Sequence, residues 1–508
     1  MQNISLISVL IIPLLSAILM LLMWGKTKTQ RLLGGVSTAL YLLASIALFA
    51  EVSANSLILV DVGSWQTGFG IALVVDMMSA LFILLSAILA LVSFWYGSTF
   101  IKSNISLSIF HPVFFFLLFG LSGAFVTGDI FNLYVWFEVM LVSSFVLFTI
   151  GASRSQLEGA LKYVTINVIS SAFFLIGVGI LYGLTGNLNM AMLAKALPLV
   201  QNQTLVDIAA VFFLVSFGIK AAIFPLFFWL PASYHTAPIG FTALVVALLT
   251  KVGIYSLTRF FTIIYPLEGT LIQPILLVLA GLTMVIGVLG AAAQTDFRKI
   301  LSFHIVSQIG YMIMGLAIFT PMAIAGALFF VVHNVLVKTN LFFVAGSVYK
   351  VFGSFKLKEL GGVMLQVPTL ALLFAISAFS LTGIPPLTGF WGKYLLAKGG
   401  FDEGSTMVVV VTAVSLAVSL LTLFSMTKIW NEVFWKPNPN TDSRSEVKMS
   451  FITLLKQHTG TTISIVILTI LILLVSFFPN SLIDWCMESA NNLMNRDLYI
   501  DGVLSVCK

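Results

Sequence analysis

Long apolar runs alternate with short polar connections along the whole chain. A bilayer core needs about 20 apolar residues per helix. Runs of that length fall near 3–24, 31–50, 72–97, 108–127, 129–150, 160–184, 205–229, 240–264, 271–294, 299–318, 321–349, 368–397, 405–430 and 460–479. The pattern predicts an all-α polytopic membrane protein with about fourteen transmembrane helices. Two runs carry helix breakers. IKAAIFPLFFWLPASYHTAPIG holds Pro225, Pro231 and Pro238; LTGIPPLTGFWGK holds Gly383, Pro385, Pro386, Gly389 and Gly392. Proline removes a helix hydrogen bond and clashes with the preceding turn. Freed backbone at membrane depth persists only where protein or water covers it. Two broken helices in corresponding places point to an inverted-repeat transporter with its path at the breaks. Two ordinary proline kinks are the alternative.

Composition agrees with the pattern. Of 508 residues, 59% are hydrophobic and only 9% charged, and mean hydropathy is +1.09. This excludes a disordered chain, a nucleic-acid binder with a basic face and a soluble multidomain enzyme. The net charge of +6 reads as topology. One set of alternate loops holds Lys26, Lys28, Arg31, Lys102, Arg154, Lys162, Arg298, Lys299, Lys350, Lys356, Lys358, Lys428, Lys436, Arg444, Lys448 and Lys456. The other set holds Lys195, Arg259, Lys398, Arg496 and Lys508. Basic loops stay in the cytoplasm, so both termini are expected outside. The first run, followed rather than preceded by basic residues, reads as a membrane helix and not a cleaved signal. The stretch 436–459 reads as a cytoplasmic linker, and the tail after 480 as a polar outer segment. Cys486 and Cys507 form no CxxC, and their pairing is left open.

A few ionisable residues lie inside the runs: Glu138, Lys220, Lys251, His304, His333, Lys338 and Lys393. Each lysine at a helix centre costs roughly 2.5–3.5 kcal/mol on insertion scales. Apolar residues would pack as well, so such groups are expected to line an ion or proton pathway. Glu138 and Lys220 are expected to pair across helices. Opening such a pair strands an ammonium in a poor dielectric and lets it release its proton; a static pair locking two helices is the alternative. His333 and Lys338 are five residues apart, hence about 140° apart on a regular helix, and are not expected to bond directly. His333 is the candidate relay near neutral pH. His304 is a path member or a hydrogen-bonded packing residue.

Weaker signals have plainer explanations. His235, in LPASYHTAP, is a candidate for proton intake or relay, or simply caps a turn. Asp129 reads as a helix N-cap and Asp76 as interfacial. Asp61 and Glu51 belong to an outer loop, and the Phe-rich run HPVFFFLLFG is packing or lipid-facing. There is no GxGxxG, P-loop, HExxH, CxxC or nucleophile elbow. No cofactor or metal site is expected, and energy must come from an ion gradient or a partner.

GDIFNLYVWFEVMLVSSFVL, GIKAAIFPLFFWLPASYHTAP, FTALVVALLTKVGIYSLTR, QTDFRKILSFHIVSQIGYMIMGL, HNVLVKTNLFFVAG and LTGIPPLTGFWGKY follow one another from about 129 to 394. In this order they resemble the proton-translocating antiporter-like subunits shared by respiratory complex I and the multisubunit Mrp-type Na+/H+ antiporters. GIALVVDMMSALF and TKIWNEVFW, with no long C-terminal extension or lateral helix, are similar to the D type among them. The resemblance implies fourteen spans and two inverted five-helix repeats, each with a broken helix. It divides the chain into N-terminal helices (1–107), a first repeat (108–264), a second repeat (271–430), a linker (431–459) and a last helix with an outer tail (460–508). It places the key glutamate on Glu138 and its lysine on Lys220. The next mid-membrane lysine falls on Lys251, the path histidine and lysine on His333 and Lys338, and the terminal lysine on Lys393. Relatives usually carry an acidic residue before the loop histidine; here Ser233 and Tyr234 stand there, which leaves the role of His235 open.

The resemblance implies a proton-translocating subunit of a cation/proton antiporter in the cell membrane. Its partners would be other subunits of A to G type, with H+ and Na+ as transported ions, the lipid bilayer as surroundings and no nucleic acid. The alternative is a proton-pumping subunit of a redox-driven complex, either complex I or a membrane-bound hydrogenase. A membrane scaffold or embedded enzyme is a third reading. Carboxylates are too few for an obvious Na+ cage.

Overall fold

The computed structural model describes residues 4–64, 70–101, 103–439 and 459–504. Helices α1 (Ile4–Leu22) and α2 (Thr27–Asn55) are followed by a short antiparallel hairpin of β1 (Leu57–Asp61) and β2 (Ala72–Asp76), with Leu57 opposite Asp76. The apolar pattern does not foretell the hairpin; five-residue strands leave little periodicity between long apolar runs. It feeds straight into α3 (Met77–Phe100), whose first turn is capped by the Asp76 carboxylate accepting the Ser79 N–H. Next come α4 (Asn104–Val126) and α5 (Ile130–Thr149). Asp129 caps α5, its carboxylate accepting the Asn132 N–H at 2.7 Å, as the sequence suggests. Then α6 (Arg154–Thr185) leads to the short α7 (Met190–Ala196).

The first break follows α8 (Gln203–Ala221), which stops at Ala222 in the left-handed region, with φ 63°. A short α9 (Trp229–Tyr234) precedes α10 (Ile239–Arg259), which continues as a π-turn over Phe260–Ile264. Helices α11 (Ile272–Ala293), α12 (Phe297–Ile318), α13 (Pro321–Phe352) and the single turn α14 (Val363–Gln366) follow. The second break lies between α15 (Pro368–Thr382) and α16 (Thr388–Glu403). Gly383, with φ 92°, ends α15; a side chain there would be strained. Then come α17 (Thr406–Ile429), α18 (Thr459–Phe477), α19 (Asn480–Met494) and α20 (Arg496–Leu504).

Among the described residues, 13 helices are long and apolar enough to cross a membrane, against about fourteen runs in the sequence pattern. The run at 368–397 is the difference: its breakers divide it into helices of 15 and 16 residues, each too short to count alone. The other broken run, 205–229, ends as a helix at Ala221.

Burial sorts the helices. The most apolar window of α13 is 100% buried, against 33% for those of α1 and α17. Helix α13 packs against α3, α10, α12, α15, α16, α18 and α19 and forms the centre of the molecule. The tail after 480, read from the sequence as a polar segment, is helical and packed as far as 504. Helix α19 buries Leu482, Cys486, Ala490 and Leu493 and lies against α13 and α3. Its polar residues mask an amphipathic face. Cys486 is buried and not in a disulfide; Cys507 and most of the linker, 440–458, lie outside the described residues.

Candidate functional site: a buried line of lysines

Glu138 sits half-buried on α5, and Lys220 in the last turn of α8 is buried. The expected direct ion pair is absent: among the described residues no carboxylate lies within 4.0 Å of Lys220. Glu138 instead accepts a hydrogen bond from Ser171 Oγ at 2.5 Å. The Lys220 Nζ rests 4.7 Å from the centre of the Phe137 ring, a cation–π contact. Phe137, next to Glu138 in sequence, therefore occupies the place expected for the carboxylate. The two charges remain within electrostatic reach. A small void beside Lys220, lined also by Tyr163, Asn167 and Trp229, has room for about one water molecule.

Helices α8 and α10 meet closely here. A Cβ on Gly253 would stand 2.6 Å from the Ala221 nitrogen, so glycine is required for this approach. Two residues before it, Lys251 is fully buried; its Nζ lies 3.4 Å from Thr250 Oγ1. Lys338, on α13, is also fully buried and reaches the Leu301 carbonyl of α12 at 3.4 Å. It stands within electrostatic reach of both Lys251 and Lys393.

Lys393 lies in the second turn of α16, not at the end of its span as the run boundaries suggest. It reaches back across the break, donating to the carbonyls of Thr382 (2.8 Å) and Leu381 (3.3 Å). These are carbonyls that a helix end leaves unpaired, and a cation is favoured at that end. The Nζ also lies 5.1 Å from the Tyr311 ring centre. His333 bonds Thr388 Oγ1 through Nδ1 at 2.7 Å, and Thr388 shares a hydrogen bond with Ser380. No hydrogen bond joins His333 to Lys338 among the described residues, in keeping with their angular separation. His304 is buried and pairs through Nε2 with Ser425 Oγ at 2.9 Å.

The structure thus brings Lys251, Lys338, Lys393, His304 and His333 into one buried region, with Glu138 and Lys220 beside it. An ammonium in such surroundings is costly without a partner. A row of them fits groups that exchange protons better than groups that hold helices together. Among the described residues, no cluster of three or more His, Cys, Asp or Glu is placed to hold a metal.

His235 stands apart, half-buried at the end of α9. Its Nδ1 donates to the Pro231 carbonyl at 2.7 Å, which leaves Nε2 as the acceptor. Burial pulls its pKa below the usual imidazole range; the Pro231 bond opposes this, and the nearby Lys299 and Arg298 cations add to it. The unfolded chain then binds the proton more readily than the folded one. Folded stability should fall as pH drops through the ordinary value of about 6.5. His235→Gln is expected to lose less thermal stability than wild type between about pH 7.5 and 5.5, a window centred on that value, by melting of the purified complex. An identical pH dependence in both would refute the assignment.

One charged pair escapes sequence reading. By position Arg259 is an outer loop charge and Asp76 is interfacial, yet they form a buried bidentate pair at 2.6 and 2.7 Å. Tyr255 and Ser79 hydrogen-bond the same guanidinium, and the Tyr499 ring of α20 lies 5.4 Å away. The pair joins residues 183 positions apart, and no local pattern announces it.

Comparison with known proteins identifies the fold and the family. The profile of the family described as NADH:quinone oxidoreductase/Mrp antiporter, transmembrane, matches residues 127–420. The chain is 40% identical over 504 residues to the D-type subunit of the Na(+)/H(+) antiporter of Alkalihalophilus pseudofirmus, covering 99% of this chain and 100% of that one. It is 36% identical, with the same coverage, to the D-type subunit of the Na(+)/H(+) antiporter of Bacillus subtilis. Among solved structures, a chain of the Mrp complex from Dietzia sp. DQ12-45-1b superposes with a TM-score of 0.89 at 29% identity, covering 98% of this chain and 99% of that one. A chain of the membrane-bound sulfane sulfur reductase, an archaeal respiratory membrane complex, shares the fold with a TM-score of 0.87 at 23% identity, over 98% and 99% of the two chains. With a matching profile over more than half its length and full-length relatives at this identity, the chain belongs to the NADH:quinone oxidoreductase/Mrp antiporter transmembrane family.

Proposed function

We propose that this chain is the D-type, proton-translocating subunit of a multisubunit Na+/H+ antiporter, and that protons move along Glu138, Lys220, Lys251, His333 with Lys338, and Lys393. The observation that carries the path is the row of buried lysines that, among the described residues, have no carboxylate within 4.0 Å. Each can hold or release a proton according to the charge of its neighbour. Glu138 sits at one end, where loss of its Ser171 bond frees it to swing toward Lys220. Lys393 sits at the other, held by the carbonyls of the broken helix. His304 and His235 are assigned as relay and intake. The residue order fits two inverted repeats, 108–264 and 271–430, each with one break. The loop charges support a cell-membrane protein with both termini outside. The remaining subunits, of A to G type, supply the Na+ route.

The test uses everted membrane vesicles from a host lacking its own Na+/H+ antiporters, carrying the whole gene cluster. The vesicle interior is acidified, Na+ is added, and a pH probe is read. Wild type should dissipate the gradient, and Lys393→Ala should reduce the response by about 100-fold, the scale of a lost proton-transfer group. Wild-type exchange in that variant removes Lys393 from the path. No response to Na+ in the wild-type cluster overturns the antiporter reading in favour of a redox-driven pump.

A further inference from the structure

The second break is tied from a distant part of the chain. Helix α16 begins at Thr388, behind Leu387, whose side chain offers no cap. The N–H groups of a first helical turn have no partner within their own helix. The Thr388 N–H finds one 88 positions further on, in Ser476 Oγ of α18 at 3.0 Å. Ser476 gives its own hydroxyl proton to the Ile472 carbonyl at 2.7 Å, which leaves its oxygen turned as an acceptor. A second tie lies beside the first: the Trp391 indole N–H of α16 donates to the Ser476 carbonyl at 3.1 Å. The first break is held in the same manner, with the Phe224 N–H donating to Thr283 Oγ1 of α11 at 3.0 Å.

Helix α18 also grips α13. Thr469 Oγ1 accepts from Asn340 Nδ2 at 2.9 Å, and the same amide donates to Ser377 of α15 at 2.8 Å. Thr469 and Ser476 are about two helical turns apart and share one face of α18. Both are buried, as is Asn340. One helix therefore holds both the helix that carries His333 and the helix start that carries Thr388.

The contact it frames is Thr388 Oγ1, at 2.7 Å from His333 Nδ1 and 2.7 Å from Ser380 Oγ. A hydroxyl has one proton to donate and two lone pairs to accept with. When Nδ1 is bare, Thr388 donates to it and accepts from Ser380. When Nδ1 carries a proton, Thr388 accepts that proton's hydrogen bond and donates to Ser380. The two hydroxyls serve either form of the imidazole by rotation alone, provided the Thr388 oxygen stays in place. Close packing restrains it on one side: a Cβ on Gly389 would stand 2.9 Å from His333 Cε1. On the other side the restraint is Ser476.

We infer that Ser476 is a positioning residue for His333: α18 fixes the start of α16 through Ser476, and Thr388 passes that placement on to the imidazole. The inference rests on the proton path proposed above. It is tested in the assembled complex with the vesicle assay, rates being divided by the amount of subunit. Ser476→Ala should lower the maximal rate about five- to tenfold, the change that one lost hydrogen bond of ordinary strength brings. The Na+ concentration for half-maximal response should stay the same. Ser476→Thr keeps the hydroxyl and should restore the rate. Ser464→Ala is the matched control. It too removes a buried α18 hydroxyl bonded to another helix, at the Val92 carbonyl of α3 at 2.9 Å, but about 18 Å along the helix from Ser476, and its exchange should be normal. In nitrogen-15 NMR of labelled histidines, the His333 signals, assigned by their loss in His333→Gln, should shift in Ser476→Ala and not in Ser464→Ala. Wild-type exchange or unshifted His333 signals in Ser476→Ala would overturn the inference, as would an equal loss of exchange in Ser464→Ala. If Ser476→Ala fails to accumulate, Trp391→Phe decides by the same readings, since it removes the second tie and keeps an aromatic ring. Lys393→Ala separates the two levels: if it is inactive while Ser476→Ala is normal, only this inference falls, whereas normal exchange in Lys393→Ala removes that end of the path itself.

Discussion

Lys220→Ala and the longer Lys220→Met are expected to abolish Na+-driven exchange, by about 100-fold or more, while the protein accumulates in the membrane at wild-type level. The two expectations have one source. Lys220 is buried against an aromatic ring, with no carboxylate within 4.0 Å among the described residues. Its ammonium contributes little to cohesion and is costly to bury without a counter-ion. Removing it relieves that cost. A lysine that locked α8 to α5 would behave in the opposite way: its loss would leave Glu138 stranded and deplete the protein. Vesicle assays normalised to the amount of subunit by immunoblot separate the two. Depletion of both variants, with residual protein still exchanging, would make Lys220 a structural residue.

Asp76→Ala should produce that opposite result. Breaking a buried ion pair from one side typically costs about 3–5 kcal/mol, because the remaining charge stays buried and unpaired. Here that charge is Arg259, held between Tyr255, Ser79 and the Tyr499 ring. The variant should accumulate poorly or melt well below wild type. Asp76→Leu combined with Arg259→Met should recover much of the loss, since replacing both partners by apolar groups is often neutral. Failure of the double variant to exceed the single one in thermal melting would show that the pair is not a closed unit. Burial raises the Asp76 pKa, but the Arg259 guanidinium and the Ser79 N–H outweigh it and hold the carboxyl below the usual carboxylate range. A lowered folded-state value gives stability above the ordinary value of about 3.9, lost as pH falls through the lowered one. The pair is therefore at full strength at neutral and alkaline pH.

These two cases mark where sequence reading works. Buried lysines betray themselves because each breaks an apolar run that has every reason to stay unbroken, and the prolines and glycines of the breaks do the same. Lys220, Lys251, Lys338 and Lys393 are legible for that reason. Contacts between distant segments leave no such trace. Asp76 and Arg259 sit at run ends, where charges are ordinary, and only the folded chain brings them together. The missing Glu138–Lys220 ion pair follows the same logic. Two opposite charges on spans separated by α6 are visible in the chain, but not that Phe137 and Ser171 take the close contacts.

The enclosure of α13 has a mechanical consequence. A helix hemmed in by seven others has no free side toward which to lean, so it serves as a fixed axle. His333, Asn334 and Lys338 ride on it as one rigid set. On the path proposed above, charge passes α13 by side-chain swings, a stroke of ångströms, while the axle itself stays still.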